Sequence, residues 1–330
     1  MPSILPETKS APCLSRRALL GGLSGLALPG GEAAAQRVEL SFGTAAEGGG
    51  FVVYAEALTD AVKWANPSIK IRSLSTKGTV ENIPLLESGK IDIGLAAGEM
   101  VHDLFGKGDG LRTGLRVISA VYSAPGMFVV RADTRYRTIT DLKGRRVVWN
   151  VRDSALALQG RNVVEGLGLD PDKDFIPVYI ESMKDGPQLV LDGQASALWG
   201  SGSRWPGFVK VASDQRGARF IVPDAAESQR ILAMHAFMRR FTIPAGRYPG
   251  QREPIATVGS WNYLLARPFL DDAIGYWLAA ALHRVESATM QPFSNQLAET
   301  TARNTLAALP RPDALHGGVE LYFREAGLLG

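Results

Sequence analysis

Residues 44–51 read Thr-Ala-Ala-Glu-Gly-Gly-Gly-Phe. Three glycines ahead of an apolar helical stretch let the backbone come close to a bound molecule, and free N–H groups at the helix start favour an anion. Thr44, Gly49, Gly50 and Phe51 are candidate contacts there, while Glu47 either repels an acidic solute, accepts an ammonium or faces solvent. A second loop, 75–79, offers Lys77 and Thr79. Lys77 can hold a carboxylate as a point charge, pair with Glu47 or face water, and the Thr79 hydroxyl stands at a helix start that must be capped. A third loop, 150–156, carries Arg152, Asp153 and Ser154. A guanidinium such as that of Arg152 can clamp a carboxylate with two parallel hydrogen bonds, and Asp153 reads as the N-cap of the following helix. Trp199 and Trp205 flank Gly200, Ser201 and Gly202, a loop able to cover a ring or an aliphatic chain, or to serve as a plain connection. Tyr122 precedes an apolar strand, and Trp149 reads as core.

Nothing in this set forms a catalytic constellation. The four histidines, His102, His235, His283 and His316, make no metal-ligand spacing, and no nucleophile elbow, P-loop or dinucleotide fingerprint is present. Glu47 and Asp153 as cleft carboxylates of a dehydratase or deaminase form the enzymatic alternative. No catalytic residue, metal ligand or cofactor is assigned.

The elements that must position these loops alternate. Strands are expected over 38–44, 69–74 and 91–95, with helices over 51–64 and 80–86 between them. Further strands are expected over 126–131, 145–151, 175–180, 195–199, 219–222 and 255–266, and helices over 225–239, 270–285 and 297–309. Strands separated by helices of ten to fifteen residues imply parallel pairing with crossovers, hence an α/β sheet whose ligand loops lie at the carboxyl ends of the strands.

The head of the chain joins Arg16-Arg17 to a Gly-interrupted apolar run and Ala33-Ala34-Ala35. That reads as a twin-arginine export signal over residues 1–35, cleaved near Ala35, and places the mature protein in the periplasm. The only cysteine, Cys13, precedes the apolar run, so a lipoprotein reading fails and the mature chain has no thiol. The net charge of +3 is too small to mark a nucleic-acid partner.

Four stretches resemble the TAXI branch of solute receptors, which serve TRAP-type secondary transporters. They are Phe42-Gly43-Thr44 with Gly48-Gly49-Gly50-Phe51; Thr79-Val80-Glu81-Asn82 with Leu85 to Gly94; Val129 to Asp133 with Asp141 to Val147; and Ile243 to Gly246 with Tyr248 to Gln251, His316-Gly317 and Tyr322 to Gly327. The resemblance runs from about residue 38 to the end. It implies a two-lobed periplasmic binding protein fold of type II-like arrangement, with the ligand in the interlobe cleft. One lobe would hold 36–128 and 255–330, the other 129–254. It further implies a monomer that binds a small carboxylate or amino acid, glutamate-like or other, and delivers it to membrane-embedded TRAP permease subunits. A receptor for an ATP-driven importer or a sensory system is the alternative. Where the family favours a hydroxyl pair, a glycine pair and a Gly-Ser-Gly-Thr cradle, this chain has Ala46-Glu47, Lys77-Gly78 and Ser154 alone. Scaffold stretches match while ligand loops depart, which predicts a retained fold with altered specificity.

Overall fold

The computed structural model describes residues 38–47, 49–106, 114–288 and 295–329. The export signal expected over 1–35 and Gly48 lie outside them. Two long strands, β4 (Arg116–Arg131) and β10 (Ile255–Ala266), organise the rest. They pair antiparallel from Gly259↔Pro125 to Ala266↔Arg116. On the far side of β10 lie the parallel strands β1 (Val38–Gly43), β2 (Ile69–Leu74) and β3 (Ile93–Ala97), in the order β2-β1-β3-β10-β4. This is the first sub-sheet. Beyond Pro125, which has no N–H to give a ladder, β4 changes partner. Its residues 126–131 pair with β7 (Ala197–Ser201) and β8 (Ala218–Ile221), and β7 continues parallel into β5 (Arg146–Val148) and β6 (Ile176–Val178). On the first half of β10 the strand β9 (Arg239–Ile243) adds antiparallel.

The first sub-sheet is covered by α1 (Gly50–Ala65), α8 (Asp272–Glu286) and α10 (Gly317–Glu325). In α1 the buried residues Tyr54, Leu58, Ala61, Val62 and Ala65 recur at helical spacing and meet Leu278, Leu282 and Val285 of α8 in one core. The helices α2 (Thr79–Glu87) and α3 (Gly98–Gly106) follow β2 and β3, and α9 (Ala302–Ala308) follows a short 3-10 turn. In the second sub-sheet α4 (Ala155–Glu165) packs on a core of edge-to-face rings, with Phe128 at 4.9 Å from Trp199 and 5.6 Å from Trp149. The shorter α5 (Gly186–Leu191), α6 (Pro206–Ala212) and α7 (Ala225–Met234) complete it.

Three expectations change. The strand expected over 126–131 begins at Arg116, so Tyr122 lies within it and not before it. The helix expected over 225–239 stops at Met234, because Arg239–Ile243 is drawn into pairing with Ile255 to Gly259. The helix expected over 297–309 begins only at Ala302, capped by the Thr301 hydroxyl, which accepts from the Asn304 N–H at 3.0 Å.

Trp199 is clamped between glycines: a Cβ on Gly126 would stand 2.5 Å from its ring and one on Gly160 of α4 2.8 Å. Alanine in an exposed helix interior stabilises by about 1 kcal/mol over glycine. At Gly160 that sign reverses. Gly160→Ala should lower the unfolding free energy in urea by about 1–2 kcal/mol as the indole is forced aside; a gain in stability would mean that the indole yields freely.

Candidate functional site

The carboxyl ends of β1, β2 and β3 are fastened together by one side chain. Asn82 of α2 is wholly buried, and its Nδ2 donates to the carbonyls of Gly43 at 3.2 Å, Thr44 at 2.9 Å and Leu95 at 2.8 Å. Its Oδ1 accepts from the Thr76 hydroxyl at 2.8 Å. Thr44 is held to β2 through its own N–H and hydroxyl, both donating to the Leu74 carbonyl. The Thr79 hydroxyl accepts from the Ala97 N–H at 3.0 Å, which ties the start of α2 to the end of β3.

Over this edge stands the start of α1. Gly49 is its N-cap, with no capping side chain, and no acidic residue occupies the first turn. Among the described residues no side chain caps the first N–H groups, which suits an outside acceptor. Phe51 lies edge-on to Tyr122, with centroids 6.3 Å apart, and Tyr122 packs on Tyr54 at 5.4 Å. Burial, with Tyr54 and Glu299 nearby, pushes the Tyr122 phenol well above its usual range, so it stays neutral.

The facing edge belongs to the second sub-sheet. Asn150 donates to the Trp199 carbonyl at 2.6 Å from a left-handed backbone (φ 73°), and its own carbonyl accepts from the Ile180 N–H. The Arg152 guanidinium lies 3.9 Å from the centroid of the Tyr179 ring, a cation–π contact. The Tyr179 hydroxyl also receives Arg161, which is paired with Asp172 at 2.7 Å. Ser201 ends β7 opposite Gly126, and the next carbonyl, Gly202, accepts from the buried Tyr248 hydroxyl at 2.5 Å.

The two edges meet. Lys184 Nζ, in the loop between β6 and α5, lies 2.6 Å from Glu47 Oε2 in the loop between β1 and α1. The lysine holds the Glu47 carboxyl below its ordinary range, by hydrogen bond first and charge second. Both side chains are largely exposed, so the pair orients the loops more than it stabilises them. A Cβ on Gly49 would stand 3.6 Å from Met183 Sδ, so the loops also touch beside the ion pair. Among the described residues no group of three His, Cys, Asp or Glu is placed to share a metal ion, and no helix is long and apolar enough to cross a membrane.

A model of the NMT1-like family matches residues 42–327. The chain belongs to the NMT1-like family. A periplasmic sulfonate-binding protein SsuA of a putative sulfonate ABC transporter from Methylobacillus flagellatus KT superposes with a TM-score of 0.51 at 14% identity, over 89% of this chain and 97% of that one. A protein from Bordetella bronchiseptica RB50 gives 0.50 at 13% identity, over 89% and 83%. Tv2483, solved with L-arginine, gives 0.50 at 13%, over 80% and 92%. At these identities the likeness is one of fold. This NMT1-like chain has the two-lobed α/β fold of periplasmic binding proteins.

Within that fold several candidate residues sit otherwise than expected. Glu47 pairs with Lys184 and not with Lys77, whose exposed side chain bonds to nothing among the described residues, while its backbone N–H donates to Glu81. Thr79 is the first residue of α2 and no cap; Gly78 holds the N-cap position. Asp153 is no cap either, because its backbone is left-handed (φ 61°), and the cap is Ser154, accepting from the Ala157 N–H at 3.2 Å. Trp199 and Trp205 are buried in the second sub-sheet's cores and do not reach the gap. Tyr248 fastens the loop between them, donating to the Gly202 carbonyl and accepting from the Trp205 N–H.

Residue reasoning passed over Asn82, Lys184 and Tyr179. Asn82 had a usable signal, since an amide on the inward face of an apolar helix must be satisfied internally. Lys184 and Tyr179 had none, because only the fold brings them to the gap. Asn82→Ala takes the amide donor from the Gly43, Thr44 and Leu95 carbonyls, of which Thr44 keeps the Thr76 hydroxyl, and should cost about 3 kcal/mol of stability in denaturant unfolding. A cost under about 1 kcal/mol would show that water takes the place of the amide.

Proposed function

We propose that this chain is an exported, non-enzymatic receptor that captures a small organic acid or amino acid between two lobes and delivers it to a TRAP-type permease, as TAXI receptors do. One lobe is 36–128 with 255–330, the other 129–254, and the protein acts as a monomer in the periplasm after cleavage near Ala35. The observation that carries this reading is the meeting of Glu47 with Lys184, which sets the uncapped start of α1 against the loops that follow β5 and β6. A carboxylate lying there would accept from the N–H groups of Gly50 and Phe51, with Thr44, Thr79 and Ser154 nearby and the rings of Phe51 and Tyr122 along its body. Arg152 stands at the rim, stacked on Tyr179 and free to turn inward.

The SsuA neighbour belongs, by its name, to a sulfonate ABC transporter. A sulfonate carried to an ATP-driven importer is therefore the second reading, and one panel separates the two.

The test is a thermal-shift screen of the exported protein, unfolded and refolded to strip carried ligand, with amino acids, 2-oxo acids, dicarboxylates, aromatic acids and sulfonates. One class at a hundred times its Kd should raise the melting temperature by on the order of 5 °C. No shift from any class in a folded sample contradicts the receptor reading. With a ligand in hand, Arg152→Ala should weaken binding on the order of tenfold if the guanidinium turns from Tyr179 onto the anion. Unchanged affinity in calorimetry would return Arg152 to the surface.

A further inference from the structure

The most unusual buried group lies below the gap. Glu99, in the first turn of α3, is 3% exposed, and its Oε1 accepts from the Ser260 hydroxyl of β10 at 2.8 Å. Ser260 in turn accepts from Gln159 Nε2 of α4 at 3.3 Å, and the same Nε2 donates to the Ala124 carbonyl of β4 at 3.0 Å. One chain of hydrogen bonds thus runs from α3, which follows β3 of the first sub-sheet, across both long strands to α4 of the second.

Two features set this chain apart from an ordinary buried network. Among the described residues the partners that act on the Glu99 carboxyl are the neutral Ser260 and Gln159 and its own backbone. Gln159 is 2% exposed, and its Oε1 is buried with no partner. The cluster has more acceptors than protons to fill them. Every donor present is already spent, on Ala124, Ser260 and Glu99. One added proton on the carboxyl removes the unpaired charge.

We propose that Glu99, Ser260 and Gln159 form a proton-dependent clasp between the lobes, tight when Glu99 carries a proton and loosened when it is ionised. This rests on the two-lobed reading of the gap. The same device makes closure on a solute take up a proton. Movement of α3 away from α4 would let water reach the carboxyl and favour its ionised form. A second contact crosses at the same place, where His102 of α3 stacks on Phe237 at 4.9 Å.

Burial raises the Glu99 pKa from its ordinary 4.5 to about 7 in the closed arrangement. An acid whose pKa is raised in the clasp holds its proton more tightly there than in water. The clasp is therefore strongest below pH 4.5, weakens as pH rises through about 7, and has lost its proton-linked support above that. The other titratable and charged groups near Glu99 lie on β9, β10, α3 and α4. Tyr263 of β10 donates to the Ala308 carbonyl and is held neutral by burial, which pushes its phenol upward. Arg239 of β9 donates to the carbonyls of Ala236 and Met238. On α3, His102 and Asp103 lie one turn further on, and α4 presents Arg161, paired with Asp172, and Glu165, beside His235.

The test is a distance between lobes, read by spin labels on Val80→Cys, at the exposed start of α2, and Glu181→Cys, in the exposed loop after β6, in a Cys13→Ser background. The wild-type clasp should give one short distance at pH 5.5 and a longer, broader distribution at pH 8.5, the open-to-closed ratio rising by up to about tenfold per pH unit as far as about pH 7 and levelling off above it. Glu99→Gln, which fixes the neutral form, should keep the short distance at both values. Ser260→Ala removes both the donor to the Glu99 carboxylate and the acceptor of Gln159 Nε2, so its clasp should open with a midpoint at lower pH than the wild type. A distance in the unsubstituted clasp that ignores pH, a Glu99→Gln chain that keeps the pH response or is open throughout, or an unmoved midpoint in Ser260→Ala overturns the proposal. A pH-insensitive distance that still shortens with a solute from the thermal screen would overturn the clasp and leave the receptor reading standing.

Discussion

The close approach of β4 and β10 at the changeover between sub-sheets is the constraint on which the rest of the molecule depends. At Gly259 the two backbones lie so near that a Cβ would stand 2.2 Å from the Ala124 carbonyl oxygen. No side chain separates the strands there, and what joins them is short and polar: Thr257 donates to the Gly126 carbonyl at 2.6 Å, and Asn262 to the Tyr122 carbonyl at 3.3 Å. Each strand then continues into pairing with other partners, β4 with β7 and β8, β10 with β3 and β9. Both halves hang from one ladder, so the gap above it has a fixed floor and a width set by how the halves tilt.

That arrangement divides the polar chemistry by depth. At the rim, Glu47, Lys184 and Arg152 are exposed and screened by water, so they bias encounter and orientation at small energetic weight. At the strand ends, Asn82, Thr44, Thr76 and Thr79 are buried, mutually satisfied and neutral, which keeps the loops where they are whether or not a solute is present. On the floor, Glu99 is a buried acid with neutral partners. Exposed charges at the mouth of the gap, fixed hydroxyls and amides on its walls and a titratable acid on its floor would serve the reversible capture proposed for it.

Much of the scaffold was legible. The parallel strands β1 and β2, the helices α1 and α2, and the return strand β10 follow from apolar spacing and turn residues, and fall where those patterns place them. The site was legible only in outline. The glycines at 49 and 50 fall at a helix start as their pattern suggests, while the cap read onto Asp153 belongs to its neighbour Ser154, because adjacent polar residues carry the same local signature. Partners across the gap have none: Lys184 reaches Glu47 over 137 positions of sequence, and Gln159 reaches Ser260 over 101. Trp199 misled because a tryptophan beside Gly-Ser-Gly looks like a binding loop. Gly126 and Gly160, far apart in sequence, are what make room for it in the core. The Tyr-Pro-Gly-Gln stretch that carried the family resemblance also turned out to be structural, with Gln251 satisfying the Arg247 and Tyr248 N–H groups and the Pro244 carbonyl.

The proposed receptor holds a small acid in its gap and leaves it chemically unchanged. The decisive measurement is mass spectrometry of the protein taken directly from its native cells, first intact under native conditions and then after denaturation. One bound small acid per chain is expected, released with the mass it has in the medium even after prolonged incubation with the protein. A protein that carries nothing across growth media rich in acids, amino acids and sulfonates, or one that returns a bound acid as a different compound, would contradict the receptor reading.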